Sequence, residues 1–132
     1  MIYLGINTTN DLIELKLFEC EGLIDQGEWT SGRNQTEELL SLVEKILQKN
    51  KIQKEELSGI LVCMGPGSYT GIRVSVTTAN FLAFGLNKPV FGYLVGKERE
   101  ALVQIQSAKN FESPVLPFYE NEPFITKTKA RL

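Results

Sequence analysis

The stretch of residues 65–84, GPGSYTGIRVSVTTANFLAF, decides the fold because a glycine-rich turn here leads directly into an apolar helix. The preceding residues 59–64, GILVCM, form a short continuous apolar run, which is typical of a strand covered on both faces. Apolar side chains then recur at helical spacing over residues 70–86. A strand, a glycine turn and a helix in this order predict an α/β protein.

The glycine turn has two interpretations. Gly65 and Gly67 permit unusual backbone conformations and Gly71 permits close contact, so the turn can serve only to join the strand to the helix. The unpaired N–H groups at the start of the helix can also bind a phosphate or a carboxylate. The spacing G-x-G-x-x-x-G matches neither the dinucleotide-binding fingerprint nor the P-loop. The pattern alone therefore leaves both interpretations open.

The rest of the chain predicts a mixed sheet. Residues 2–6, 12–18 and 22–29 have strand patterns separated by short turns, which predicts an antiparallel meander. Residues 89–93 form another strand, so the strand at 59–64, the helix at 70–86 and this strand make a βαβ unit. Such a unit places its two strands parallel, with a right-handed crossover.

Two further helices are predicted, over residues 36–49 and about 94–105. The first has Asn34 or Thr36 as its candidate N-cap. Its apolar side chains lie within about 160° of arc, which predicts one buried face. They are Leu39, Leu40, Leu42, Val43, Ile46 and Leu47.

The helix at residues 70–86 has apolar side chains on two faces. One face can cover the sheet and consists of Ile72, Val76, Ala79, Leu82, Ala83 and Leu86. The other lies roughly opposite and consists of Val74, Thr77, Phe81 and Phe84. This second face either packs against the tail or the last helix of the same chain, or forms an interface with a second subunit.

Composition excludes several classes of function. The chain has 132 residues, 42% of them hydrophobic, which suits one domain. The absence of histidine excludes histidine general bases, Ser-His triads and histidine-containing metal sites. Cys20 and Cys63 fit neither a C-x-x-C motif nor a zinc site and are expected to be reduced thiols. A net charge of −2 gives no nucleic-acid footprint.

The sequence shows no signal peptide and no apolar run near the roughly 20 residues of a membrane span. We therefore expect a cytoplasmic protein with no membrane contact.

The glycine-turn motif, GPGSYTGIR, resembles the motif of the TsaB (YeaZ) family, which usually reads GPGSFTGLR. Only Tyr69 and Ile72 differ. The opening MIYLGINTT is similar to the first strand of the same family, commonly ILAIDTS. The site residues that the resemblance implies in this motif are Gly65, Pro66, Gly67, Ser68, Tyr69, Thr70, Gly71 and Arg73, of which only Tyr69 departs from the family residue.

The resemblance implies a single actin-type (ribonuclease-H-like, ASKHA) half-domain, with a mixed sheet and most of the second domain missing. It covers roughly residues 1–105, so we assign the domain to residues 1–106. Residues 107–132 are expected to be an extended or partly disordered tail. Two short segments of this tail, residues 117–119 and 123–127, are loosely similar to the last residues of longer family members.

The resemblance also implies a function. TsaB-like proteins are non-catalytic scaffold subunits that pair with a TsaD (Kae1/Qri7)-like enzyme, which transfers a threonylcarbamoyl group to tRNA adenosine. A TsaE-like ATPase is a further candidate partner, a homodimer is expected when the chain is alone, and tRNA is contacted only through the complex. The expected partner interface consists of Leu40, Val43, Leu47, Val74, Thr77, Phe81 and Phe84.

An enzyme is the alternative from a different class. Actin-type enzymes usually carry an Asp in the first turn to organise Mg²⁺ around ATP, but this chain has Asn7, followed by Thr8 and Thr9. An amide holds a hard cation poorly, so this phosphate turn is degenerate and no metal, cofactor or catalytic residue is expected. Ser68, Tyr69 and Thr70 lack an accompanying base for nucleophilic catalysis. Two alternatives stay open, a stand-alone homodimer without a pathway role and a nucleotide-binding ASKHA enzyme.

Overall fold

The computed structural model describes residues 1–9, 12–30 and 35–118. In these ranges the chain forms one five-stranded sheet with helices on both faces. The elements are β1 (Ile2–Asn7), β2 (Leu12–Glu19), β3 (Gly22–Thr30), α1 (Gln35–Lys49), a 3-10 turn (Lys54–Glu56), β4 (Leu57–Gly65), α2 (Tyr69–Leu86), β5 (Val90–Leu94) and α3 (Glu98–Ile105).

The strand order in the sheet is β3-β2-β1-β4-β5. β1, β2 and β3 pair antiparallel, whereas β1 with β4 and β4 with β5 pair parallel. The predicted meander, the βαβ unit and the mixed sheet are therefore confirmed. The parallel pairing puts the carboxyl ends of β1 and β4 at the same edge of the sheet, where the turn after β1 meets the glycine loop after β4.

Several element boundaries differ from the prediction by one or two residues, and the start of α3 differs by more. α3 begins at Glu98 rather than near residue 94, because Gly96 adopts a φ of +89° and the Lys97 N–H donates to the Leu94 carbonyl at 2.9 Å, closing a turn after β5. α1 begins at Gln35, so Thr36 lies inside the helix and is not its N-cap. The other candidate cap, Asn34, lies outside the described residues.

Each face of the sheet has its own apolar core. The larger core lies under α1 and α2, which bury two sets of side chains, Leu39, Val43, Ile46 and Leu47 from α1 and Ile72, Val76, Ala79 and Ala83 from α2. The smaller core lies under α3 and joins Tyr3, Phe18, Leu61, Cys63, Tyr93, Ala101, Leu102 and Ile105. α2 therefore has the buried face that the helical spacing predicts.

Residues 111–118, called here the strap, have no regular secondary structure and contact the side of α2. The Asn80 amide donates to the Val115 carbonyl and accepts from the Val115 N–H, each at 2.8 Å. The Phe111 ring meets Phe84 edge-on, with 5.5 Å between the ring centroids. The beginning of the predicted tail therefore packs against the domain, while residues 119–132 lie outside the described part of the chain.

None of the helices in the described ranges combines the length and the apolar character that a membrane crossing requires.

Candidate functional site

The glycine loop after β4 packs against the turn that follows β1. The Ser68 hydroxyl caps α2 by accepting from the Gly71 N–H at 3.3 Å, and the Ser68 N–H donates to the Thr9 carbonyl at 2.7 Å. The Thr8 hydroxyl donates to the Gly71 carbonyl. We call this contact the glycine-loop junction. It brings together the two predicted site segments, residues 65–73 and residues 7–9.

Several polar groups of the first turn form hydrogen bonds within the turn and the junction. The Asn7 side-chain oxygen accepts from the Thr9 N–H at 2.9 Å and from the Thr9 hydroxyl at 2.7 Å. Thr8 and Thr9 are buried. The cavity that touches both Thr8 and Gly71 has a volume of about 10 Å³, which is room for about one water molecule. Little free space therefore remains where Thr8 meets Gly71.

Two glycines of the motif are explained by this junction. A Cβ on Gly67 would lie 2.6 Å from the Thr9 Cβ, and a Cβ on Gly71 would overlap the Thr8 carbonyl oxygen. Both positions need glycine because another backbone segment approaches closely. The geometry thus supports the structural interpretation of the glycine turn, as a join between β4 and α2 that also holds β1.

The outward side of α2 carries large apolar side chains in solvent. Phe81 is 68% exposed and Phe84 is 70% exposed, and Thr77, one turn earlier, is exposed as well. We call Thr77, Phe81 and Phe84 the outer stripe. Further towards the start of α2, the Arg73 guanidinium lies 5.8 Å from the centre of the Tyr69 ring. The helix therefore presents aromatic rings along its solvent side.

The structure corrects part of the predicted partner interface. Val43 and Leu47 belong to the core under α1 and are 1% and 2% exposed, because the burial of one α1 face against the sheet uses them. Val74 is half-buried, packs against the same core and lines the small cavity with Leu39, so it lies on the α1 side of α2 rather than in the outer stripe. Leu40 is half-buried.

A polar cluster on the α3 side of the sheet was not predicted. The Lys16 ammonium and a Glu98 carboxylate oxygen are 2.9 Å apart, and the Tyr93 hydroxyl donates to the other Glu98 oxygen at 3.3 Å. Burial and the neighbouring Glu98 charge raise the pKa of Tyr93. Burial alone would lower the pKa of Lys16, but Glu98 raises it above its usual value. Burial also raises the pKa of the Cys63 thiol, which keeps this cysteine protonated.

The fold class is that of the ribonuclease-H-like, actin-type proteins. The structure superposes on Thermus thermophilus RuvC with a TM-score of 0.51 at 16% identity, over 86% of this chain and 85% of that one, which shows the fold alone. A Pseudomonas aeruginosa protein described as similar to the peptidase YEAZ gives a TM-score of 0.65 at 25% identity, over 70% of this chain and 43% of that one. The predicted actin-type half-domain is confirmed.

Sequence comparison gives the family. Residues 30–117 match the family model described as "TsaD: tRNA N6-adenosine threonylcarbamoyltransferase", and the chain belongs to that family. It is 32% identical over 90 residues to the Bacillus subtilis (strain 168) tRNA threonylcarbamoyladenosine biosynthesis protein TsaB, covering 68% of this chain and 39% of that protein. The predicted resemblance to TsaB (YeaZ) proteins is confirmed, and the chain spans about two fifths of the length of this curated relative.

Proposed function

We propose that this chain is a non-catalytic binding subunit of a tRNA-modification complex, and that it pairs with a TsaD-like enzyme which transfers the threonylcarbamoyl group to tRNA adenosine. The observation that carries the proposal is the outer stripe. Two phenylalanine rings, each about 70% exposed, project from one side of a helix whose other side is locked in the core. Neighbouring exposed aromatic residues on a small domain mark an interaction site.

The binding role fits the chemistry at the glycine-loop junction better than catalysis does. The Asn7 amide oxygen already accepts two hydrogen bonds from Thr9, and the start of α2 is capped by its own Ser68. These groups support the fold rather than offering a nucleophile or a cation site. The chain also lacks histidine, so the commonest general base is not available to it.

A related subunit suits the shape of this surface. The family model of the enzyme matches residues 30–117, which include α1 and α2, so a TsaD-like partner has helices equivalent to these two. Two such helix pairs can pack face to face in a nearly two-fold arrangement, as ridges into grooves. The half-buried Leu40 on α1 and the exposed Phe81 and Phe84 on α2 would then form the apolar centre of the contact.

The test is the mass of the chain in solution, alone and mixed with the TsaD-like protein of its own organism, measured by light scattering after size exclusion. We expect a mixed complex, and a threonylcarbamoyl transfer assay with tRNA then measures its activity. Addition of a TsaE-like ATPase to the mixture tests that further partner. A homodimer that ignores the enzyme would favour a stand-alone dimer instead, and a monomer in both samples would contradict the proposal.

A substitution locates the contact. Phe81→Glu puts a charge at the centre of the outer stripe and is expected to abolish the mixed complex without unfolding the chain, since the side chain is mostly in water. Val103→Glu is the matched control, because Val103 is 50% exposed on α3, on the opposite face of the sheet. Equal loss of binding in both variants would contradict the assignment of the surface to α2.

A further inference from the structure

We propose that the strap forms a third part of the partner surface, in addition to α1 and α2, and that Leu116 is its main contact residue. This inference rests on the proposed function and names a contact segment outside the two helices.

The strap is tied to the domain at three points along its length. Near its start, Phe111 packs edge-on against Phe84 of the outer stripe. In its middle, the Asn80 side-chain amide donates its N–H to the Val115 carbonyl and accepts from the Val115 N–H through its oxygen. At its end, the Phe118 N–H donates to the Met64 carbonyl at 2.9 Å, beside the glycine loop. The strap therefore runs from the end of α2 towards its beginning with a fixed orientation.

This orientation turns alternate side chains in opposite directions. Val115 is partly buried against the larger core, in the space that Gly92 leaves open beside Met64. Leu116 follows directly and is 74% exposed, and Phe118 is 44% exposed. Asn80, which holds Val115, and Phe84, which meets Phe111, are four residues apart and therefore lie on the same side of α2. The strap thus runs along the flank of the outer stripe, with Leu116 on its solvent side.

The area supports a partner that covers both elements. With roughly 200 Å² for a large apolar side chain, the exposed parts of Phe81, Phe84 and Leu116 sum to roughly 400 Å². A standard interface takes about 800 Å² from each partner, with an apolar core. Leu116 thus supplies about a third of this exposed apolar area. Without it, the apolar centre of the contact would be small. A TsaD-like subunit that covers Phe81, Phe84 and Leu116 together therefore buries a larger apolar centre than one that covers α2 alone.

The experiment measures the Kd of the full chain with the TsaD-like protein of its own organism, by calorimetry, for the wild type, Leu116→Glu, Phe81→Glu and Val103→Glu. We expect Leu116→Glu to weaken binding about tenfold or more, and Val103→Glu to bind like the wild type. Thermal unfolding of each variant checks that the fold is intact, which the 74% exposure of Leu116 leads us to expect.

The outcomes separate the two proposals. A wild-type chain that does not bind the enzyme contradicts the proposed function, and the strap proposal with it. A wild-type chain that binds, a Phe81→Glu variant that does not, and a Leu116→Glu variant with wild-type affinity would overturn the strap proposal alone. Light scattering of each variant alone measures self-association. A Leu116→Glu variant that loses self-association but binds the enzyme like the wild type would identify a second copy of this chain as the occupant of the strap and overturn the enzyme as its partner there.

Discussion

The glycine-loop junction and the outer stripe lie on the same helix, yet the fold accounts for only one of them. At the beginning of α2, Gly71 is required because the Thr8 carbonyl occupies the place of a side chain. Further along α2, Phe81 and Phe84 are about 70% exposed, and Phe111 meets Phe84 edge-on. Contacts within the chain determine the residues of the glycine-loop junction. The outer stripe, in contrast, has apolar side chains that are mostly left out of such contacts.

This difference shows where function is to be sought. A glycine-rich turn before a helix resembles a ligand-binding loop, but here its glycines make room for a neighbouring backbone. The aromatic side chains of the outer stripe resemble core residues in the sequence, but the fold leaves them in water. Residues that the fold does not use are therefore the better guide to the partner than the motif that identifies the family.

The largest effect is expected from Gly71→Ala. The new Cβ would overlap the Thr8 carbonyl oxygen, so two backbone segments must move apart. We expect a loss of about 3 kcal/mol in the free energy of unfolding. Urea unfolding followed by the fluorescence of Trp29, the only tryptophan of the chain, measures it.

Gly85→Ala is the matched control on the same helix. A Cβ at Gly85 meets nothing within 4 Å, so the substitution only reduces the freedom of the unfolded chain and should stabilise by about 0.5–1 kcal/mol. Equal changes in the free energy of unfolding for the two substitutions would show that the close approach of the Thr8 carbonyl is not the reason for glycine at position 71.

A smaller loss is expected from Thr8→Val, which keeps the shape of the side chain and removes the hydroxyl that donates to the Gly71 carbonyl. The free energy of unfolding should fall by about 1 kcal/mol, the usual net contribution of one hydrogen bond. The same urea titration measures it. Thr77→Val on the exposed side of α2 is the control. A loss of the same size in this variant would contradict a specific contribution of the Thr8 hydrogen bond to stability.

Much of the fold was predictable because its signals are local. The apolar run of β4, the glycine loop and the two-faced helix α2 follow one another in the sequence, and each keeps its own periodicity. The antiparallel β1–β3 meander follows from short alternating strands for the same reason. The largest error is the start of α3, because the glycine turn at Gly96 interrupts a helical pattern that periodicity alone extends too far.

Two features could not be predicted from such local signals. One is the packing of the strap against α2, and the other is which residues of the predicted interface are buried and which are exposed. Asn80 and Val115 are 35 residues apart and pair through the Asn80 side-chain amide and the Val115 backbone. No local sequence pattern around either residue predicts this pairing. Val43 and Leu47 share the helical spacing of Leu40, so the sequence cannot tell which apolar residue at the edge of the α1 face reaches solvent. Those distinctions depend on how α1, α2 and the sheet pack together.

The contact between the outer stripe and the strap can be measured by a double-mutant cycle. Phe84→Leu and Phe111→Leu each remove the edge-on ring pair while keeping an apolar side chain. We expect a coupling free energy of about 0.5–1 kcal/mol between the two substitutions. Phe81→Leu paired with Phe111→Leu is the control and should show additive effects, since no ring contact joins Phe81 to the strap within the described residues.

The smallest effect on stability is expected from Phe81→Ala. This substitution tests most directly the difference between the glycine-loop junction and the outer stripe. The side chain is 68% exposed, so its truncation removes little buried area, and alanine has the higher helix propensity, which offsets the loss. The free energy of unfolding should therefore change by less than about 0.5 kcal/mol, while the affinity for the TsaD-like enzyme falls about tenfold or more. A drop in stability comparable with that of Gly71→Ala would mean that Phe81 belongs to the core, and the outer stripe would then lose its claim to be a binding surface. Unchanged stability with unchanged affinity would leave an exposed aromatic ring that serves neither the fold nor the proposed partner, and the contact would have to be sought away from α2.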